Sequence, residues 1–264
     1  MVYDSIGDAN LAAASAGTTN FPSLGFQARS IFELGNGVIL TSDEDIASVQ
    51  VMMSSWACET GAWNTGDCLS SGSTFSVPIT LTIYDATSLS GVGAPPPGSI
   101  LHQAVTTFPI PFRPSFSPTC SGGRWRDFSC TPTNVATGDP CCFNGFPHVI
   151  TFTVPSVSPP SSKQIVWSVS FSTQSYGFPP LGGASNQPVN SLNVAVGPHD
   201  TTGLLRPSSS KWVYGSSTTQ SFCTPTTSTP PINVFVADEY ATTPCYTPMA
   251  RITTVVAGND AGNE

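Results

Sequence analysis

The sequence predicts an all-β fold, an antiparallel β-sandwich of the jelly-roll type with ten or eleven strands and disulfide-stapled loops. Three observations predict it: apolar residues alternate with hydroxyl residues, proline and glycine clusters separate the alternating runs, and eight cysteines fall mostly in loop-like stretches. Strict alternation indicates strands with one face on a core and one face in water. No run of ten or more residues shows an apolar stripe at helical spacing, so no helix is predicted.

Eleven runs carry the strand pattern. In chain order they are 27–33, 37–41, 47–56, 75–84, 99–108, 150–154, 165–172, 192–196, 211–215, 232–236 and 250–257. The alternation is strictest in 75–84 and 165–172, where every second residue is a large apolar one. The 25 prolines fall mostly between the runs. Because proline cannot donate to a sheet ladder, they mark loops and strand edges.

The chain contains no internal repeat, which predicts a single β-sandwich domain over residues 1–264. The Pro/Thr-rich segment 224–231 has the composition of a linker but lies between Cys223 and Cys245, which favours a tethered loop. The terminal segments 1–22 and 258–264 lack the strand pattern and are predicted to be extended or flexible.

The cysteines predict an oxidising location, because disulfides persist outside the cytoplasm. The expected setting is secreted or extracellular, with the surface of a virion as the alternative. Cys58 and Cys68 flank a turn-rich segment with two glycines, and we expect them to pair. Cys141 and Cys142 are adjacent, so in an extended chain their side chains diverge and need different partners. One arrangement that satisfies this is Cys130–Cys141 nested inside Cys120–Cys142, with Cys223–Cys245 left by elimination.

Charge is scarce and excludes two classes of partner. Only 9% of residues are charged, against about 25% in ordinary soluble domains, while 67 residues are Ser or Thr. A net charge of −8 with eight Lys and Arg excludes the basic patch that nucleic-acid binding needs. No window of 18 apolar residues exists, so no membrane insertion is expected.

Several segments resemble a family of uncharacterised secreted β-sandwich proteins of actinobacteria. They are Ser54-Ser-Trp-Ala-Cys-Glu-Thr-Gly-Ala-Trp-Asn-Thr-Gly-Asp-Cys68, Ser23-Leu-Gly-Phe26, Ile110-Pro-Phe-Arg-Pro114, Cys142-Phe-Asn-Gly145 and Ser191-Leu-Asn-Val194. The resemblance runs over residues 2–215 and fades afterwards. It implies secretion, a β-sandwich and a cysteine pair across the second loop, which supports Cys120–Cys142. It implies that 127–141 is an insertion specific to this chain, and it carries no established activity.

Catalytic signatures are missing, so we expect a non-enzymatic protein. No Gly-x-Ser-x-Gly elbow occurs, all eight cysteines can pair, and none of the three histidines has the spacing of a metal pair. A secreted glycoside hydrolase stays as an alternative, because that chemistry needs only two carboxyl groups across a cleft. No cofactor is expected. A weak Ca²⁺ candidate is the acidic turn of Asp43, Glu44 and Asp45, whose oxygen ligands suit that ion.

Tryptophans inside the cysteine-bounded stretches form the candidate binding site. An aromatic face on a stapled loop suits stacking on a sugar ring, with neighbouring polar side chains donating to or accepting from hydroxyls. The alternative interpretation is that each indole fills its own loop as a small core. The candidate glycan-binding residues are Trp63, Asn64, Asp67, Arg124, Trp125 and Arg126.

The uncharged exterior favours a structural or assembly role in a cell-surface or extracellular layer or filament. Soluble monomers commonly guard sheet edges with charged residues, whereas here the outward strand positions carry Ser and Thr. The expected partners are copies of the same chain or other surface proteins. A carbohydrate-binding module, with polysaccharide as partner, is the alternative.

Overall fold

Antiparallel strands form most of the regular structure. The computed structural model describes residues 1–16, 21, 23–26, 31–87, 98–130, 141–172, 192–197, 209–215, 236–239 and 247–255. In chain order the elements are β1 (Tyr3–Asp4), α1 (Asp8–Ala16), β2 (Ser23–Gly25), β3 (Ile31–Ile39), β4 (Ile46–Ser55), β5 (Thr74–Asp85), β6 (Ile100–Pro111), a 3₁₀ turn (Ser121–Gly123), β7 (Trp125–Arg126), β8 (Cys142–Phe143), β9 (Phe146–Val157), β10 (Gln164–Ser170), β11 (Leu192–Gly197), β12 (Ser209–Gly215), β13 (Val236–Glu239), β14 (Thr247–Pro248) and β15 (Ala250–Thr254).

These strands form two large antiparallel sheets and one small ribbon. The first sheet has six strands in the order β13-β12-β3-β10-β5-β6. The second has seven strands: the path β1-β15-β4-β11-β14 is extended by β2, which pairs with β11, and by β9, which pairs with β4. β7 and β8 form the ribbon. The all-β antiparallel prediction is confirmed, and the jelly-roll connectivity stays a prediction.

The long strands lie where alternation predicts them, with two differences. Residues 31–33 of the first predicted run and 37–39 of the second belong to one strand, β3. Within β3, Gly35 lies so close to β10 that an added Cβ would be 1.8 Å from the carbonyl oxygen of Trp167. The described strands number fifteen rather than ten or eleven. Five of them have two or three residues, too few for a period to be visible. Several predictions lie outside the described residues, and they concern 17–20, 22, 27–30, 131–140, 224–235, 256–264, Cys223 and Cys245.

One apolar core lies between the two sheets. β5 contributes Val77, Ile79, Leu81 and Ile83, all fully buried, while Ser76 and Pro78 on either side of Val77 are exposed. The prediction of a half-buried strand is therefore confirmed for β5. The second sheet contributes to the same core Val49, Val51, Met53, Ile150, Phe152, Val194 and Ile252.

β10 is buried on both faces, which the alternation does not predict. All five residues of Ile165–Val169 are buried. On the face turned away from the core, the Ser168 hydroxyl donates to the Glu33 carboxylate, which also accepts from the Tyr84 hydroxyl at 2.8 Å. Burial, and then the Glu33 charge, raise the pKa of Tyr84, so its phenol stays a donor. The serine on this central strand is thus buried with its hydroxyl paired.

The N-terminal residues form regular structure, so the prediction that 1–22 is extended or flexible is wrong for the described residues 1–16. β1 pairs with β15, and α1 covers the outer face of the second sheet. There, Ile6 and Ala14 pack with Met52 and Met249 in a second, smaller cluster. α1 has nine residues and is rich in alanine. Alanine has high helix propensity but gives only a weak apolar stripe, which is why periodicity missed the helix.

Asp4 fixes the chain between β1 and α1. Its Oδ1 accepts the backbone N–H groups of Ile6 at 2.9 Å and Gly7 at 3.0 Å, and its Oδ2 accepts from the Arg251 guanidinium at 2.7 Å. Burial alone would raise the pKa of Asp4, but the hydrogen bonds from Arg251 and the two backbone groups outweigh it and lower the pKa below 3.8. Ionised Asp4 therefore stabilises the fold above the ordinary carboxyl pKa, and this stabilisation is lost as the pH falls through the lower value of the folded state.

We expect Asp4→Asn to lower the free energy of unfolding by about 1–2 kcal/mol at pH 7, because it weakens charge-assisted hydrogen bonds. The difference from wild type should shrink below pH 4 as Asp4 of the wild type becomes protonated. Urea unfolding at pH 7 and pH 2.5 measures both. Asp8→Asn is the matched control: Asp8 bonds the same Arg251 at 2.6 Å, but its side chain is 94% exposed, so a much smaller change is expected. Equal effects of the two substitutions would contradict the role given to Asp4.

Candidate functional site

Two disulfide loops meet at one end of the sandwich. Cys58–Cys68 closes the first loop, between β4 and β5, and Cys120–Cys142 closes the second, between β6 and β9. The loops lie against each other at Gly123, where an added Cβ would be 2.8 Å from the carbonyl oxygen of Trp63. The two stretches that carry the candidate glycan-binding residues are therefore neighbours in space.

The second loop contains a nested disulfide, as predicted. Cys130 pairs with Cys141, so the adjacent Cys141 and Cys142 have different partners. The predicted pairing of the six described cysteines is confirmed, and none of these six is free. Three disulfides fit an oxidising, extracellular setting. No helix in the described part of the chain has the length and apolar character to cross a bilayer.

Arg113 joins the two loops from inside the protein. Its side chain is fully buried, and its guanidinium donates to the carbonyl oxygens of Trp63 at 2.9 Å, Gly123 at 2.7 Å and Pro114 at 3.4 Å. Its backbone N–H donates to the carbonyl of Ala57 at 2.9 Å. Burial lowers the pKa of Arg113 to about 10, so the group is still charged at neutral pH. Carbonyl dipoles from both loops thus surround the buried charge.

Sequence reasoning missed Arg113 as a structural residue. It is one of only eight Lys and Arg residues, and it lies between Phe112 and Pro114 in an otherwise uncharged stretch. An isolated basic residue within an apolar and proline-rich segment is the signal that could have marked it as buried. Its hydrogen-bond acceptors are backbone carbonyl groups in loops that are distant in sequence. No sequence pattern identifies such acceptors.

We expect Arg113→Met to lower the free energy of unfolding by about 3 kcal/mol, because the carbonyl oxygens of Trp63, Gly123 and Pro114 lose their donor. Limited proteolysis should then cleave within both disulfide loops earlier than in the wild type. Arg124→Met is the control: Arg124 donates to Ser121 and Cys142, all within the second loop. It should change stability by less than about 1 kcal/mol and leave the first loop protected. Cleavage of the first loop in both variants would contradict the bridging role of Arg113.

The close contact between the loops gives a second test. Gly122 and Gly123 both have φ of +69°, so alanine strains the backbone at either position. An added Cβ at Gly122 has no neighbour within 4 Å, whereas at Gly123 it meets backbone atoms of Trp63, Asn64 and Gly66 at 2.8–2.9 Å. We expect Gly122→Ala to cost about 1 kcal/mol and Gly123→Ala about 2–4 kcal/mol. Thermal melting measures the difference, and equal shifts would mean that the loops do not touch in solution.

The two tryptophans of the loops occupy different environments. Trp125 is only 3% exposed, donates through Nε1 to the carbonyl of Gly145 at 3.1 Å, and packs against Phe143 and Phe146. Its ring has no open face for stacking, so for Trp125 the loop-filling interpretation is correct. Trp63 is half-buried and meets the ring of Trp56 edge to face at 4.7 Å.

Two of the polar residues predicted to bind a glycan, Asp67 and Arg124, form hydrogen bonds within their own loops. The Asp67 carboxylate accepts from the Thr65 hydroxyl and from the backbone of Ala62 at 2.9 Å. These two bonds, the one from Thr65 first, lower the pKa of Asp67. Arg124 donates to the carbonyl and hydroxyl oxygens of Ser121 at 2.9 and 2.7 Å. Asn64 is exposed on the first loop.

An open groove of about 570 Å³ lies beside the second loop, and we call it the Asp127 groove. Arg126 is half-buried at the groove, with its guanidinium 5.5 Å from the ring centre of Phe128, which is 80% exposed. Trp125 and Arg126 were predicted as binding residues, whereas Asp127 and Phe128 were not. The groove is lined by the segment 114–118, the segment 125–128 and Phe146.

The residues considered for metal binding or catalysis do not form a common site in the described part of the chain. Glu44 accepts from Thr254 at 2.7 Å and Asp45 from Ser158 at 2.5 Å, while Asp43 is exposed. In the described ranges no three His, Cys, Asp or Glu side chains are placed to hold a metal, so the Ca²⁺ candidate gains no support. Among the described residues that line the Asp127 groove, Asp127 is the one carboxylate, whereas glycoside hydrolysis needs two.

A second candidate surface is the side of the sandwich formed by β6 and β9. Both strands have twelve residues without a Lys, Arg, Asp or Glu. The rings of Phe108 on β6 and Phe152 on β9 meet edge to face at 4.9 Å, so the strands lie beside each other. Within the described part of the chain β6 pairs only with β5, and β9 pairs only with β4. Each strand therefore presents a long uncharged edge.

No protein-family model, curated protein or solved structure matches this chain. The described part of the chain has two candidate surfaces, the Asp127 groove at the loop end and the β6 edge at the side.

Proposed function

We propose that this chain is a non-catalytic, extracellular β-sandwich protein that acts as a structural or assembly component of a surface layer or filament. The observation that carries the proposal is the β6 edge, twelve residues long and without a charge. An edge strand has alternate N–H and C=O groups directed away from its neighbour, and these can pair with another strand. Proteins that stay monomeric usually block such an edge with charged residues or very short strands.

The exposed side chains of β6 favour pairing with a copy of the same strand. Ile100 is 53% and Val105 is 64% exposed, and both would lose apolar contact with water in a paired edge. The outer face of β9 is less accessible, because Val149 packs against the cluster that lies under α1. Pro109 and Pro111 lack backbone donors, which confines pairing to the first nine residues, 100–108. A two-fold axis across these residues would place two β6 strands antiparallel and extend the six-stranded sheet into a second copy.

Val105→Lys tests this proposal. A two-fold pair brings equivalent side chains together, so the variant places like charges close to each other across the interface. We expect the wild-type protein to form dimers or larger assemblies, and the variant to raise the dissociation constant at least tenfold. Sedimentation equilibrium and size-exclusion chromatography with light scattering measure this.

Ser76→Lys is the matched control, because Ser76 is exposed on the same outer face of the sheet but lies on β5, one strand inside the edge. It should assemble like the wild type. A wild-type protein that stays monomeric at millimolar concentration would overturn the proposal. Equal weakening by both lysines would show that net charge, and not the β6 edge, controls association.

A further inference from the structure

We propose that the nested disulfide Cys130–Cys141 is a site of reversible covalent modification by a low-molecular-weight thiol, with the mixed disulfide formed on Cys130. The modification leaves the other two described disulfides closed and the β-sandwich folded. This inference concerns the second loop, a different part of the molecule from the β6 edge, and it does not rest on assembly.

Solvent exposure distinguishes this disulfide from the other two in the described part of the chain. Cys58–Cys68 and Cys120–Cys142 have buried cysteines at both ends, none of them more than 8% exposed. In Cys130–Cys141 the two ends differ, because Cys141 is fully buried whereas Cys130 is half-buried and directly follows the exposed residues 128–129. A thiolate must reach one sulfur of a disulfide to displace the other, so access controls the rate. Cys130 is therefore the end that an incoming thiolate reaches in the folded protein.

The reaction is a thiol–disulfide exchange. The thiolate of the small molecule attacks Sγ of Cys130, where a new sulfur–sulfur bond forms while the bond to Cys141 breaks. The electron pair of the broken bond leaves with Sγ of Cys141, which takes up the proton that the small thiol lost. The small thiol is thus the one co-reactant, and its sulfur stays on Cys130.

Contacts other than the disulfide keep Cys141 in place after the exchange. Its backbone carbonyl accepts from the N–H of Asp127 at 3.0 Å. The next residue, Cys142, is bonded to Cys120 and pairs with Arg126 in the β7–β8 ribbon. The displaced thiol therefore stays in the same loop as Cys130, at a high effective concentration. When the small thiol is removed, Cys141 can attack the mixed disulfide and restore the original bond.

The second loop keeps its shape without the nested bond. Cys120–Cys142 still closes it, and the buried Trp125 still donates to the carbonyl of Gly145 at 3.1 Å. Arg113 still donates to the carbonyl of Gly123 at 2.7 Å and so holds this loop to the first one. Opening the nested bond therefore changes the covalent state of one partly exposed cysteine while the fold around it remains.

The test is to incubate the native full chain with millimolar glutathione, quench samples in acid, alkylate them in denaturant and map the cysteines by peptide mass spectrometry. We expect a first product with one glutathione on Cys130 and an alkylated Cys141. It should form at least tenfold faster than Cys58–Cys68 or Cys120–Cys142 opens, and its circular dichroism should match that of the untreated protein. Removal of glutathione should restore the original disulfide.

Two double variants give a matched pair. Cys130→Ser/Cys141→Ser should lose the fast adduct, whereas Cys58→Ser/Cys68→Ser should keep it on Cys130. If either variant does not fold, the wild-type protein in urea below its unfolding transition still decides the matter. Formation of the Cys130 adduct should not respond to urea, because it requires no unfolding, whereas opening of the two buried disulfides should accelerate.

Three outcomes would overturn the inference. The first is that no glutathione adduct forms on the native protein. The second is a first adduct on Cys141, or opening of Cys58–Cys68 or Cys120–Cys142 at the same rate. The third is an adduct rate that rises with urea in parallel with the opening of those two disulfides. Val105→Lys should react at the wild-type rate, so a failure of the assembly proposal and a failure of this one are distinguishable.

Discussion

The loop end of this protein depends on the hydrogen bonds of one buried cation. Arg113 lies where β6 leaves the sheet, and its guanidinium reaches a carbonyl oxygen in each disulfide loop. A buried charge without a paired carboxylate is unfavourable unless dipoles surround it. Here the backbone supplies those dipoles, so the loops must keep their positions for the charge to stay solvated by the protein. The cation thereby couples two loops that their own disulfides close only locally.

That coupling also positions the Asp127 groove. The wall 114–118 begins directly after Arg113, and the opposite wall 125–128 begins two residues after Gly123, which accepts from the same guanidinium. The disulfides limit how far each loop can open, and Arg113 sets how the loops sit relative to each other. Phe128, whose ring is 80% exposed, and Asp127, whose Oδ2 is buried, thus lie on a backbone held from both sides.

The side of the sandwich formed by β6 and β9 is characterised by the absence of charged residues. β6 and β9 bury one face through aromatic and aliphatic side chains but carry no charge along their length. With only 9% of residues charged, the chain has few groups with which to block an edge. Hydroxyl groups keep such a strand compatible with water. Removing a hydroxyl group from water costs less free energy than removing a charged group, so a second strand can cover the hydroxyl groups more easily. The same composition therefore accounts for both a water-compatible exterior and an edge strand without charged residues.

The long strands could be predicted from the sequence because each has its own repeating pattern. In β5 the apolar residues at every second position meet the core, as alternation requires. β10 has the same pattern, yet both of its faces are buried, and on the outer face Glu33 accepts a hydrogen bond from Ser168. α1 was missed since a short alanine-rich helix gains its stability from packing on Met52 and Met249, which are remote in sequence. Local patterns specify local structure, and they contain no information on what a second element covers.

By itself the sequence determined the all-β class, the positions of the long strands and the pairing of the six described cysteines. All of these depend on neighbouring residues: period-two alternation, the spacing of cysteines, and the divergence of two adjacent thiols. Only the tertiary structure decided that Trp125 is buried, that Arg113 bridges two loops and that one oxygen of Asp127 is buried without a hydrogen-bond partner among the described residues. Those properties depend on which atoms from distant segments come within hydrogen-bonding or van der Waals distance, and that is set by the packing of the whole chain.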